Sequence, residues 1–251
     1  LPLGLIGIGL GTILLPTISR MLSKGQETEA METQNRGIEL ALFLTLPATV
    51  AFLIVAEPIV RGLFQYGRFT AEDAQRCGWA LSAFSIGLPS YVLVKVLTPG
   101  YYARGDTRTP VRYAMLSILI NIIGNIALIP TLGRLGVGHV GPPLATALAS
   151  TVNVAMLYRT LVKRGHFAAD AGLRRRIPRL AVAALIMGAA LWAGESLLDP
   201  WLSGPMIGRY VALTLLVGAG VALYGLASFV TGAYRLSDLK ALMRRRAAPS
   251  T

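Results

Sequence analysis

Seven stretches of the chain, residues 1–19, 40–56, 77–94, 113–133, 140–158, 180–194 and 210–234, contain no Asp, Glu, Lys or Arg. A helix crossing the hydrocarbon of a bilayer needs about 20 predominantly apolar residues, at ~1.5 Å of rise each. Five of the runs reach roughly that length unaided. The second needs Glu39 or Glu57 near its ends, and the sixth has Arg179 and Glu195 at its borders. The pattern predicts an all-α polytopic membrane protein with seven transmembrane helices. A membrane barrel would instead show alternating segments of roughly ten residues, and none is visible.

The polar intervals predict the remaining elements. "SRMLSKGQETEAMETQNRG" is acidic in its middle and reads as a short interfacial helix near 22–36. Thr70, followed three residues later by Asp73, is a helix-start signal that caps the third span. Residues 165–179 form a basic linker in which Pro178 suits a first helical turn. It separates a five-helix core, 1–164, from a C-terminal helix pair, 180–234. Residues 235–251 form a basic tail suited to anchoring on anionic lipids.

Composition agrees with this class: of 251 residues 54% are hydrophobic and 14% charged, against about 25% charged in soluble domains. The net charge of +12 raises the question of nucleic acid. Placement answers it, because every basic residue lies in a connection or close to a helix end. Alternate connections, counting the tail, hold three, four, seven and five of the 24 basic residues; those between them hold three, one and one. This split of 19 to 5 is the positive-inside signature. It puts the richer set and the C-terminus in the cytoplasm, residue 1 outside, and leaves no role for nucleic acid. The abrupt Leu-Pro-Leu start, without Met or a signal-peptide pattern, reads as the later part of a longer chain. A single cysteine, Cys77, excludes an internal disulfide and a cysteine-based zinc site.

The chemistry inventory is thin. His139 and His166 have no Asp, Glu or Cys at metal-ligand or triad spacing. No paired aspartates could hold magnesium on a diphosphate, and no Gly-rich loop ends in Lys-Ser/Thr. The expectation is a protein that is not an enzyme, with no cofactor. Glycines and prolines within the spans suit close helix packing, and equally a bundle that bends to alternate access.

Polar groups inside the spans are the candidate sites. Asn121 and Asn125 lie one turn apart on the fourth span, and Thr146, Thr151 and Asn153 lie on the fifth. They read either as interhelical hydrogen-bond partners or, for Asn121, Asn125 and Thr146, as oxygen ligands of a sodium ion. Lys95 stands in "SYVLVKVLTPGYYARGDTRTPVR", nine residues before Arg104 and roughly 13 Å along a helix. Its stem can snorkel towards the interface. Alternatively it is a functional cation, with Arg104, Arg108 and Arg112 as a cytoplasmic collar.

"LPLGLIGIGLGTILLPTISR", "LFQYGRFTAEDA" and "VLVKVLTPGYYARGDTRTPVR" resemble the second half of the MurJ (MviN) family, with high specificity from residue 1 to about 165. These are bacterial inner-membrane lipid II flippases of the multidrug/oligosaccharidyl-lipid/polysaccharide exporter superfamily. The resemblance implies a fourteen-helix protein of two lobes, of which this chain is the C-lobe, helices 8 to 14. It implies lipid II as substrate, membrane lipids and the N-terminal half of the same protein as partners, and Lys95, Arg104, Arg108 and Arg112 near the pyrophosphate. The family's essential N-lobe arginines, and an Asp/Glu-Arg pair, lie upstream of residue 1. Some members hold sodium with Asn and Asp one turn apart on helix 11; here Asn121 and Asn125 fall at those positions, an amide replacing the acid. The last two helices form an outer groove for the polyprenyl tail, corresponding to roughly residues 177–234. Coupling to sodium or to membrane potential is the resulting expectation. Alternatives are another exporter of the superfamily, a polyprenyl-phosphate membrane enzyme, and a non-transporting scaffold.

Overall fold

The computed structural model describes the backbone of residues 2–232 and the side chains of 9–232. The expected tail, 235–251, lies outside the described residues. Eight α-helices follow one another: α1 Pro2–Ser23, α2 Glu27–Phe64, α3 Ala71–Ser85, α4 Leu88–Tyr102, α5 Arg108–Gly133, α6 Gly141–Lys163, α7 Ala171–Leu202 and α8 Met206–Val230. No strand occurs among the described residues.

Counting α3 and α4 as one span, six segments are long and apolar enough to cross a membrane. The chain is a multi-pass membrane protein. The seventh expected span corresponds to α1, a 22-residue helix packed against α2 and α4.

Three departures from the sequence pattern have physical causes. No separate helix occupies 22–36; residues 27–36 are the first turns of a 38-residue α2. Glu27, Glu29 and Glu32 stay exposed, but two of the polar side chains turn inward to bond other parts of the chain. Gln34 and Asn35 are buried; the Gln34 amide donates to the Val96 and Leu97 carbonyls, both at 3.3 Å, and the Asn35 amide to the Ala168 carbonyl at 2.9 Å. Second, α2 kinks at Val55, with φ −104° and ψ 22°. Pro58, three residues on, lacks the N–H and crowds the preceding turn.

Third, the third span is two helices joined at residues 86 and 87. Thr70 opens α3 with the expected capping box to Asp73, and Pro89 sits in the first turn of α4, where its missing N–H costs nothing. At the break α2 supplies a partner for a freed carbonyl: the Thr49 hydroxyl donates to Ser85 O at 3.1 Å. Gly87 permits the turn, since a Cβ there would lie 2.3 Å from the Tyr91 ring.

Two buried clusters share α2. One joins α1, α2, α4 and α6, and takes in Phe167 of the connection to α7. The other joins the bent half of α2 to α7 and α8. The 165–170 segment is therefore a packed strap, with Phe167 only 2% exposed.

Candidate functional site

Lys95 projects from α4 and is exposed within this chain. It forms no hydrogen bond or ion pair among the described residues. Pro99 follows it by one turn inside α4, so the Lys95 carbonyl has no helical N–H to accept from. Gly11 of α1 faces that carbonyl; a Cβ built there would stand 3.6 Å from it.

Two adjoining grooves meet at Lys95. One, of about 340 Å³, runs between α1, α4, α5 and α6 past Tyr102 and Pro110. The other, of about 480 Å³, runs between α4, α5 and α6 past Tyr91, Asn121 and Thr146. Asn153 of α6 lines both. It is 8% exposed, and its Oδ1 is buried without a partner. The Tyr91 hydroxyl, facing the second groove, is likewise unpaired.

The structure brings the three candidate sodium ligands together. Asn125 donates to the Asn121 carbonyl at 2.9 Å and to Asn121 Oδ1 at 3.0 Å. Asn121 donates across to Thr146 Oγ1 at 3.0 Å, and Thr146 donates to Pro142 O at 2.9 Å. Close packing makes the reach possible, because a Cβ on Gly124 would lie 3.0 Å from Ala145 Cβ. Asn125 Oδ1 alone is buried and unpaired. The other oxygens are engaged in a donor-to-acceptor chain that pins α5 to α6. Among the described residues, no three His, Cys, Asp or Glu are placed to hold a metal ion.

The four candidate cations divide. Arg104 is half-buried and clips the end of α4 to the strap, donating to Gly100 O at 2.9 Å and reaching His166 O at 3.5 Å. Burial lowers its pKa from the usual arginine value. Arg108 and Arg112 are exposed, with no partner among the described residues. Arg164, which the sequence pattern did not single out, pairs with Asp106 at 2.6 Å. Asp106 also accepts from Thr109 N–H at 2.9 Å, opening α5. The bonds from Thr109, and then Arg164, hold its carboxyl down at about 2.

Two polar clusters, on either side of the α2 kink, tie that helix to α7 and α8. On one side Glu39, 3% exposed, accepts from Arg36 at 2.7 and 2.9 Å and from Arg176 of α7 at 2.8 Å. The acid three residues after an arginine, at the edge of an apolar run, was the available signal for this site. On the other side Arg61 pairs with Glu57 and reaches Ser203 at 3.3 Å, and Arg209 donates to Gln65 at 2.8 Å. Between them lies an apolar groove of about 450 Å³, walled by α2, α7 and α8. It occupies part of the region for which a lipid-facing role was expected.

A family profile described as lipid II flippase MurJ matches residues 1–212. A probable lipid II flippase MurJ of Rhizobium meliloti (strain 1021) is 41% identical over 253 residues, covering all of this chain and 46% of that protein. One of Vibrio cholerae is 38% identical over 241 residues, covering 96% of this chain and 45% of that protein. The lipid II flippase MurJ of Burkholderia cenocepacia is 31% identical over 190 residues, covering 76% of this chain and 36% of that protein. The chain thus spans less than half the length of the curated relatives it matches.

Proposed function

We propose, from the premise that this chain belongs to the lipid II flippase MurJ family, that it is the C-terminal lobe, helices 8 to 14, of a transporter and not of an enzyme. The whole protein moves lipid II from the cytoplasmic to the outer leaflet of the bacterial inner membrane by alternating access. Its N-terminal half supplies the other lobe. The richer basic set and the C-terminus face the cytoplasm, as the 19 to 5 charge split supports. The five-helix core and the α7–α8 pair, joined by the packed strap, are its two parts.

The observation that carries the reading to this lobe is Lys95. An ammonium seven residues inside the end of α4, roughly 10 Å along the helix, is costly in hydrocarbon unless it faces protein, water or an anionic ligand. It lines open grooves and is unpaired among the described residues. We assign it to the path of the substrate's pyrophosphate. Arg104 holds the turn below it. The apolar groove between α2, α7 and α8 receives the polyprenyl tail, its lining offering hydrocarbon contact and few polar groups. Transport is coupled to membrane potential or to sodium, with Asn121, Asn125 and Thr146 as the sodium ligands.

The test is complementation of a flippase-depleted cell by full-length Lys95→Met, with membrane abundance measured in parallel. Losing a charge-assisted contact to phosphate costs about 1.5–3 kcal/mol. Transport should therefore fall roughly ten- to a hundredfold at normal abundance. Normal growth at native abundance would remove Lys95 from the mechanism.

A further inference from the structure

We infer that a second pocket, between α5 and α6 at their arginine-rich ends, binds the phosphodiester headgroup of an anionic phospholipid. This stands apart from the flippase reading and uses only the orientation proposed above. The pocket measures about 350 Å³ and is lined by Thr109, Arg112, Tyr113, Leu116 and Arg164. Two guanidiniums therefore converge beside two hydroxyl side chains where α5 begins and α6 ends.

The two arginines are prepared differently. Arg164 is held in place by Asp106 at 2.6 Å and by Thr109 Oγ1 at 3.2 Å. Arg112 has no partner among the described residues and is exposed. The Tyr113 hydroxyl shares a hydrogen with Thr160 Oγ1 at 2.7 Å, which fixes its position and leaves lone pairs or a proton for a ligand.

Charge selects the ligand. Two guanidiniums and the Asp106 carboxylate leave one net positive charge. That matches a phosphodiester, which carries one negative charge, and not a pyrophosphate, which carries two. A headgroup without a compensating ammonium is favoured for the same reason. The cytoplasmic leaflet supplies such lipids.

Shape agrees. Leu116 lines the pocket one turn beyond Arg112, and Leu119, Ile123 and Ile126 continue from it along α5, all exposed within this chain. Spacings of three, four and seven residues place them along one side of the helix. No residue of α5 beyond Pro110 is buried within this chain. An acyl chain can lie along that side with its phosphate between Arg112 and Arg164.

Native mass spectrometry of the full-length protein tests this, with phosphatidylglycerol, phosphatidylethanolamine and polyprenyl pyrophosphate each added at equal concentration. The wild type should retain phosphatidylglycerol. Arg112→Gln, a surface change, should weaken that retention about tenfold or more, and Arg108→Gln should leave it unchanged. Equal retention of phosphatidylglycerol by Arg112→Gln overturns the proposal. So does retention of phosphatidylethanolamine as strong as that of phosphatidylglycerol. Arg112-dependent retention of the polyprenyl pyrophosphate in preference to phosphatidylglycerol would also overturn it, and would give the pocket to the transported substrate.

Discussion

Replacing Glu39 with glutamine keeps the volume of the side chain and removes its charge from a site that is 3% exposed. Three bonds lose their ionic character, two from Arg36 and one from Arg176. They are not equal. Arg36 is 54% exposed and rehydrates when its partner goes, so its share is that of a surface pair, below about 1 kcal/mol. Arg176 is 26% exposed and meets Glu39 from another helix. A charge-assisted bond of that kind is worth about 1.5–3 kcal/mol. Glu39→Gln should therefore cost about 1.5–4 kcal/mol in all. Arg36→Gln should cost less than about 1 kcal/mol. Arg176 makes other contacts, so the pair is isolated by a double-mutant cycle of Glu39→Gln and Arg176→Gln. Equilibrium unfolding of the full-length protein in mixed detergent micelles gives the four energies. The expected coupling is about 1.5–3 kcal/mol. Additive single changes, or an Arg36→Gln loss equal to that of Arg176→Gln, would refute the assignment of the clasp to the α2–α7 contact.

Gly100→Ala should destabilise by about 1–3 kcal/mol in the same assay, because its Cβ would stand 2.6 Å from the amide of buried Gln34. Gly133→Ala, with nothing within 4 Å, should be close to neutral. The Asp106 clip should be insensitive to mild acid. Its carboxyl titrates at about 2, below the ordinary 3.8, so its stabilisation is complete above the ordinary value and is lost as pH falls through about 2. The stability difference between wild type and Asp106→Asn should thus be equal at pH 7 and pH 5 and shrink only below about 4; a difference that shrinks between 7 and 5 would contradict it. If sodium binds at Asn121, Asn125 and Thr146, Asn125→Ala should abolish the sodium-dependent rise in thermal midpoint of the full-length protein. An unchanged rise would leave the three residues as the α5–α6 packing network alone.

The apolar runs made the membrane class legible because hydrocarbon leaves the backbone few options, and continuity of apolar residues is a one-dimensional property. The Thr70–Asp73 cap was legible for the same reason, both partners lying within one turn. What failed to show was the destination of polar side chains that bond across helices. Gln34 and Asn35 looked like part of an interfacial helix and Glu39 like the border of an apolar span, since their partners, Val96, Leu97, Ala168 and Arg176, lie far away in the chain. The break at residues 86 and 87 was hidden similarly. Gly and Pro there are common in unbroken spans, and the carbonyl partner, Thr49, comes from α2. Of the candidate site, proximity of Asn121, Asn125 and Thr146 followed from helical spacing and neighbouring spans. The difference between Arg104 and Arg112 did not, because one arginine folds back on its own helix end and the other stays open.

The two clasps constrain how the apolar groove can change width. The α7–α8 hairpin is joined to α2 through Glu39 and Arg176 at one end, and through Arg61–Ser203 and Gln65–Arg209 at the other. Tyr224 adds a bond to Phe43 O at 2.9 Å along the groove itself. A hairpin pinned at both ends cannot swing away as a rigid body without breaking at least one set. The clasp at Glu39 alone is worth about 1.5–3 kcal/mol. The remaining freedom lies in α2, whose ladder is already interrupted at Val55, between the two pins and on the groove wall. Bending there alters the groove while both ends stay bonded. Val55 is fully buried and shares the groove wall with Met187 and Leu191 of α7, so the bend is set where α2 packs on α7 and α8.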